Sequence, residues 1–137
     1  MLEWMPEQGT IIAYYQSFEM NRIKELARFN TELSNKLLVF NKRFIDLITP
    51  FKEGHYYHPK FKGSFSIKKV LPALCPNDAS LDYDSLNIKG GGEASLAYKK
   101  FDALTEAEIE EYRKDLFAYC RLDTLAMVRI LDHLKQV

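Results

Sequence analysis

Two short apolar segments constrain the fold more than anything else in this chain. Thr10–Tyr15 (TIIAYY) and Phe44–Thr49 (FIDLIT) are β-branched, aromatic and brief, the profile of buried strands, and Pro50 closes the second. Between them apolar residues recur at helical spacing. Ile23, Leu26, Ala27 and Phe29, with Met20 a turn earlier, predict a helix over 18–29, with Ser17 as its cap and Asn30 at its end. Thr31 to Phe40 reads as a second helix, capped by Thr31, with Leu33, Leu37, Leu38 and Phe40 inward. A strand that runs into a helix and returns to a strand predicts a parallel pair. Two strands alone make a poor sheet. Either further strands lie outside these 137 residues or a partner covers the edge, and an exposed strand edge favours a homo-oligomer.

The rest reads as helix and loop. Lys52–Ser66 is a loop rich in aromatics and glycine. Ser66–Leu74 is a short helix with Ile67, Val70, Leu71 and Leu74 inward, although Pro72 interrupts it. Residues 78–88 are weakly patterned. Gly90-Gly91-Gly92 reads as a hinge and not as a phosphate-cradling loop, since neither a GxGxxG nor a GxxxxGK frame is present. Glu93–Phe101 is a short helix. Thr105-Glu106-Ala107-Glu108 is a capping box. It opens an apolar series that continues to Leu134. A single rod over 106–134 would be ~43 Å long, too long for a globule of radius ~14 Å. A break near Tyr119–Leu122 is therefore expected.

Composition narrows the function classes. Hydrophobic residues make up 47% and charged residues 28%, enough for a packed core and against wholesale disorder. Lysine plus arginine and aspartate plus glutamate both number 19, which excludes a polycation that holds nucleic acid by bulk charge. The two cysteines, Cys75 and Cys120, form no CxxC, so the chain reads as reduced and cytoplasmic. No apolar run approaches the ~20 residues of a membrane helix, and the opening MLEWMPEQ is no signal peptide.

Several residues are candidates for chemistry. Tyr119 and Asp123 are four apart, so on a helix the phenol and carboxylate share a face. A carboxylate holds Mg²⁺ or Mn²⁺ and a neighbouring phenol orients a bound water; the plainer reading is a half-buried tyrosine beside a helix cap. Glu19 follows the first strand, where α/β folds build sites, but an acid there also suits the helix macrodipole. Asp46 lies inside an apolar strand, where it needs a metal or, more plainly, backbone or lysine partners. His55 and His58, with His133 and Cys75, raise a zinc question that their spacing answers poorly. Lys52–Lys69 carries five lysines against Glu53, interleaved with Tyr56, Tyr57, Phe61 and Phe65. Cations for phosphates and aromatics for bases hold single strands, which makes Lys60, Lys62, Lys68, Lys69 and Tyr57 nucleic-acid candidates; the alternative is a solvated loop. Asp102–Asp123 holds seven acids against three basic residues.

The order of these pieces resembles the second half of the DEDD-type 3′–5′ exonucleases of the ribonuclease H-like fold, in their tyrosine variant. More closely, TIIAYYQSFEMNRIKELA, FIDLITPF, YYHPKFKGSFSIKKVLPALCP and YCRLDTLAMVRILDHL resemble a bacterial domain family of unassigned function that follows RecB-like nuclease domains in longer proteins. The resemblance implies a helix-rich α/β fragment of the ribonuclease H-like fold, one partial domain over 1–137, with two parallel strands kept and the first three absent. It implies a metal-dependent exonuclease acting on nucleic acid with Mg²⁺ or Mn²⁺, Glu19 and Asp123 as metal ligands, Tyr119 positioning the attacking water, Asp46 an additional acid, and an upstream RecB-like domain as partner. The pattern departs from that family in three respects. The first Asp-x-Glu motif is missing, Tyr15 stands where an asparagine is usual, and the second acid is glutamate. These departures imply a fragment inactive in isolation, or a non-catalytic module that binds single-stranded nucleic acid or a protein.

Overall fold

The computed structural model describes residues 5, 6 and 8–137. The chain divides into two compact units, residues 1–59 and 60–137. It is helix-rich, with two parallel strands.

In the first unit β1 (Ile11–Ala13) leads into α1 (Gln16–Phe29), then α2 (Ser34–Phe40), β2 (Phe44–Asp46) and the single-turn α3 (Thr49–Lys52). The strands pair in parallel with Ile11 opposite Phe44, Ile12 opposite Ile45 and Ala13 opposite Asp46. Ile23 and Ala27, one turn apart on α1, pack with Leu37 and Phe40 of α2, and Met5, Ile11, Leu33 and Phe44 flank this core. Burial removes apolar surface from water at ~25 cal/mol per Å² and drives the assembly.

The strand–helix–strand order is as expected, but the details differ. The second strand stops at Asp46, because Thr49 and Pro50 open α3; Pro50 suits a first helical turn, where no N–H is needed. The expected inward set on α1 is narrower. Leu26 is 49% and Phe29 90% exposed, because a helix packed along one side buries only a stripe. Leu38 is also exposed. Thr31 does not cap α2; instead the Asn30 Oδ1 accepts from the Leu33 N–H at 3.1 Å. Nor does Ser17 cap α1. Tyr15 occupies the cap position in the left-handed region, φ 70° and ψ 57°.

In the second unit α4 (Ile67–Leu74), α5 (Gly91–Lys99) and α6 (Glu106–Leu134) are joined by short 3₁₀ turns at Ala79–Leu81, Tyr83–Ser85 and Phe101–Ala103. α4 buries Val70, Leu71, Ala73 and Leu74 and packs on α6, which buries Leu122, Ala126 and Ile130. Pro72 is tolerated because it lies on the exposed face of α4. The expected hinge is not one: Gly90 is the cap and Gly91 and Gly92 are the first residues of α5, where Glu93 accepts from the Lys89 N–H at 2.7 Å.

The expected break near Tyr119–Leu122 is absent. α6 runs unbroken for 29 residues, so Tyr119 and Asp123 lie in its middle and do not open it. No glycine or proline interrupts 106–134. The Thr105 capping box forms as expected, with the Thr105 N–H donating to Glu108 at 2.9 Å. The sphere-based length limit fails because α6 is buried only over its C-terminal half.

Candidate functional site

α6 places Tyr119 and Asp123 one turn apart on a half-buried face. Buried Leu122 and Ala126 anchor that stretch in the core. A third residue joins them from the 3₁₀ turn at Tyr83–Ser85. That turn is set by Asp82, whose Oδ1 accepts from the Asp84 N–H at 2.9 Å, an Asx turn favoured by a short acidic side chain. It sends the Tyr83 ring inward, 7% exposed, and the Tyr83 hydroxyl donates to the Asp123 Oδ1 at 2.6 Å. Tyr119 is coupled to the same carboxylate electrostatically, and the Tyr83 and Tyr119 rings meet edge to face with centroids 6.4 Å apart. One carboxylate therefore accepts from Tyr83 and influences both phenols.

Electrostatics keep those phenols protonated. Burial, then the hydrogen bond and negative charge of Asp123, push Tyr83 well above the ordinary tyrosine value. The same causes in the same order raise Tyr119. A carboxylate offers about four acceptor positions, so the bond from Tyr83 leaves Asp123 with lone pairs to spare. Lys68 of α4 brings a cation to the cluster. Its Nζ lies 5.7 Å from the Tyr83 ring centroid and donates to the Lys89 carbonyl. The start of α5 closes in on the same groups. A Cβ at Gly90 would lie 3.4 Å from the Lys68 Nζ, and one at Gly91 would lie 3.8 Å from the Tyr119 Oη. An ammonium, two phenols and a carboxylate thus converge beside glycine backbone, and that set can donate to or accept from a polar ligand.

The other candidates are divided between the two units. Glu19 is exposed in the first turn of α1, in the first unit, where an acid complements the helix N-terminus. Asp46 is occupied by backbone. Its Oδ1 accepts from Tyr15 N–H at 2.7 Å and Ile48 N–H at 3.2 Å, and its Oδ2 from Gln16 N–H at 2.9 Å. It caps α1 from the neighbouring strand, the plainer of its two expected roles. Tyr57 belongs to the first unit and is 65% exposed. Lys60, Lys62, Lys68 and Lys69 belong to the second and are exposed; of these, Lys68 reaches the tyrosine cluster.

Sequence reasoning missed Tyr83. The signal available was weak: Tyr83 is the one aromatic residue between Phe65 and Tyr98, directly after a turn-forming aspartate. A divalent ion needs several hard oxygen ligands. Asp123 supplies one carboxylate, and among the described residues no three of His, Cys, Asp and Glu gather to hold an ion. The described residues do not make a metal site by themselves. Among them, no helix is long and apolar enough to cross a membrane.

Comparison with known proteins adds relatives without an assigned role. An uncharacterized protein of Ureaplasma parvum serovar 3 is 31% identical over 141 residues, covering 92% of this chain and 20% of that protein. An uncharacterized protein of Mycoplasma pneumoniae is 31% identical over 134 residues, covering 90% of this chain and 20% of its own length. The chain thus spans about a fifth of the length of the curated relatives it matches. No solved structure matches it. Residues 1–66 match the family model described as a domain of unknown function, DUF2779.

Proposed function

We propose that this chain is the C-terminal part of a metal-dependent 3′–5′ exonuclease-like domain acting on nucleic acid within a longer polypeptide. On this reading Tyr119 and Asp123 are its share of the site, and further acids complete it. The supporting observation is the placement: one turn of α6 sets the Tyr119 phenol and the Asp123 carboxylate on the same half-buried face, as a hydrolase that must orient water beside a metal ligand requires. Lys68 brings positive charge over the ring of Tyr83, which bonds the same carboxylate. The test is cleavage of 5′-labelled single strands by the full-length polypeptide with Mn²⁺. Stepwise shortening from the 3′ end, abolished by Asp123→Asn and reduced at least tenfold by Tyr119→Phe, is the expected result. Undiminished cleavage by Asp123→Asn refutes the assignment.

A second reading has its own observation. Tyr83 donates to Asp123 at 2.6 Å, which suits a carboxylate serving as a structural clasp in a non-catalytic module that binds single-stranded nucleic acid. Binding without any cleavage by the full-length polypeptide decides for it.

A further inference from the structure

On the flank of α6 next to this cluster lies an apolar cleft of about 410 Å³, lined by Tyr98, Phe101, Arg113, Leu116, Phe117 and Cys120. Its volume falls within the ~300–1,000 Å³ typical of ligand sites. Tyr98 is 69% and Phe117 75% exposed, a large aromatic area to leave in water. The Tyr98 and Phe101 rings are tilted against each other with centroids 5.1 Å apart, and Phe101 leans in turn on Tyr112. One wall of the cleft is therefore a braced aromatic surface.

Charge indicates what covers it. The segment from Asp102 to Asp123 is acidic in sum, yet its three basic residues, Arg113, Lys114 and Arg121, stand four before, three before and four after Phe117. On a helix those positions surround Phe117 on one face, and all three are exposed. An aromatic cleft with an arginine in its lining, and two further cations one turn from Phe117, matches a flat, apolar group carried on a polyanionic chain. We propose that this cleft stacks an unpaired base of single-stranded nucleic acid, with Arg113 and its basic neighbours meeting the flanking phosphates. Stacking on aromatics tolerates any base, and arginine adds a cation–π contribution. The ligand class rests on the functional reading above, but the cleft is a separate place on α6 and needs neither cleavage nor metal.

The test is binding of a fluorescein-labelled oligothymidylate to the whole chain in EDTA, read by anisotropy, with an abasic oligonucleotide of equal length as the control for charge. Phe117 is exposed, so Phe117→Ala leaves the core intact. Binding weaker by about tenfold in Phe117→Ala, and similarly weaker for the abasic strand, is the expected result. Cys120 gives an independent readout: iodoacetamide labels it in the free chain, and the oligothymidylate, but not the abasic strand, protects it, with Cys75 as internal reference. Equal affinity for the abasic strand, unchanged binding by Phe117→Ala, no binding, or protection of Cys120 by raised concentration of the chain alone each overturns the proposal; the last would make the occupant a second copy. Because the assay excludes metal, its outcome is independent of whether Asp123 serves hydrolysis.

Discussion

The bond between Tyr83 and Asp123 gives a sharp test of what the carboxylate does in the fold. Phenylalanine at position 83 keeps the buried ring and removes only the hydroxyl, so no cavity contributes to the result. A hydrogen bond to a charged group contributes roughly 1.5–3 kcal/mol. Asp123 is half-buried and water replaces part of what it loses, which places Tyr83→Phe near the lower end, at ~1.5 kcal/mol. Asp123→Ala costs more, ~2–3 kcal/mol, because it strands the buried Tyr83 hydroxyl. In the double variant the stranded donor at position 83 is gone, so the two changes are not additive and the coupling is ~1–1.5 kcal/mol.

Thermal and urea unfolding of the four proteins, followed by circular dichroism, measures that cycle. For a unit the size of residues 60–137, 1 kcal/mol shifts the midpoint by roughly 4–8 °C. Tyr83→Phe is expected to unfold ~6–12 °C below the parent chain. A coupling below ~0.5 kcal/mol refutes the reasoning, since distant independent sites already agree within that margin. Asp123 would then be free of structural duty, and the clasp reading would fall with it.

The other expectations concern the rest of the chain. Asp46→Ala removes the acceptor for two backbone N–H groups at the start of α1 and for that of Ile48 before α3, and is expected to cost ~2 kcal/mol in urea unfolding; Asp46→Asn, which keeps one carbonyl oxygen, costs less. Tyr15 sits at φ 70° with its ring exposed, so Tyr15→Asn is expected to stabilise by ~0.5–1 kcal/mol, because asparagine adopts the left-handed region more readily. Both cluster phenols are raised above the ordinary ~10 by burial and then by Asp123, so their contribution to stability is complete below that pH and is lost as pH climbs past it. Melting curves between about pH 8 and pH 11 should therefore fall more steeply for the parent chain than for Tyr83→Phe.

How much of this was legible in the sequence depended on whether a residue's partner lay nearby in the chain. The β1–α1 and β2 segments were readable because apolar periodicity reports local burial, and the Thr105 box because its partner is three residues away. Tyr119 and Asp123 were readable for the same reason, being one turn apart. The capping of α1 was not, because its acceptor, Asp46, is 30 residues from Gln16. Tyr83 was not, because it meets Asp123 across 40 residues and lies in a stretch whose turns are set by aspartates with no apolar repeat. The expected break in α6 came from treating the chain as one sphere, when nothing local disfavours a continuous helix.

That continuity matters for function. Around the middle of α6 three faces carry three environments within little more than two turns. Leu122 and Ala126 enter the core, Tyr119 and Asp123 meet Tyr83, and Phe117 and Cys120 open on the aromatic cleft. A break at Tyr119–Leu122 would have uncoupled the cleft from the tyrosine cluster. An unbroken helix fixes their spacing: Phe117 and Asp123 are six residues apart, ~9 Å along the axis at 1.5 Å per residue. A proline at Ala118, whose side chain is exposed, tests this directly. It removes the N–H that bonds the Lys114 carbonyl and kinks the turn that carries Phe117, at a cost of ~3 kcal/mol. Tyr119 and Asp123 follow that turn, so loss of the oligonucleotide protection of Cys120 with the Tyr83–Asp123 coupling retained is the expected result. Retention of both in a folded variant would show that the cleft does not depend on the continuity of α6.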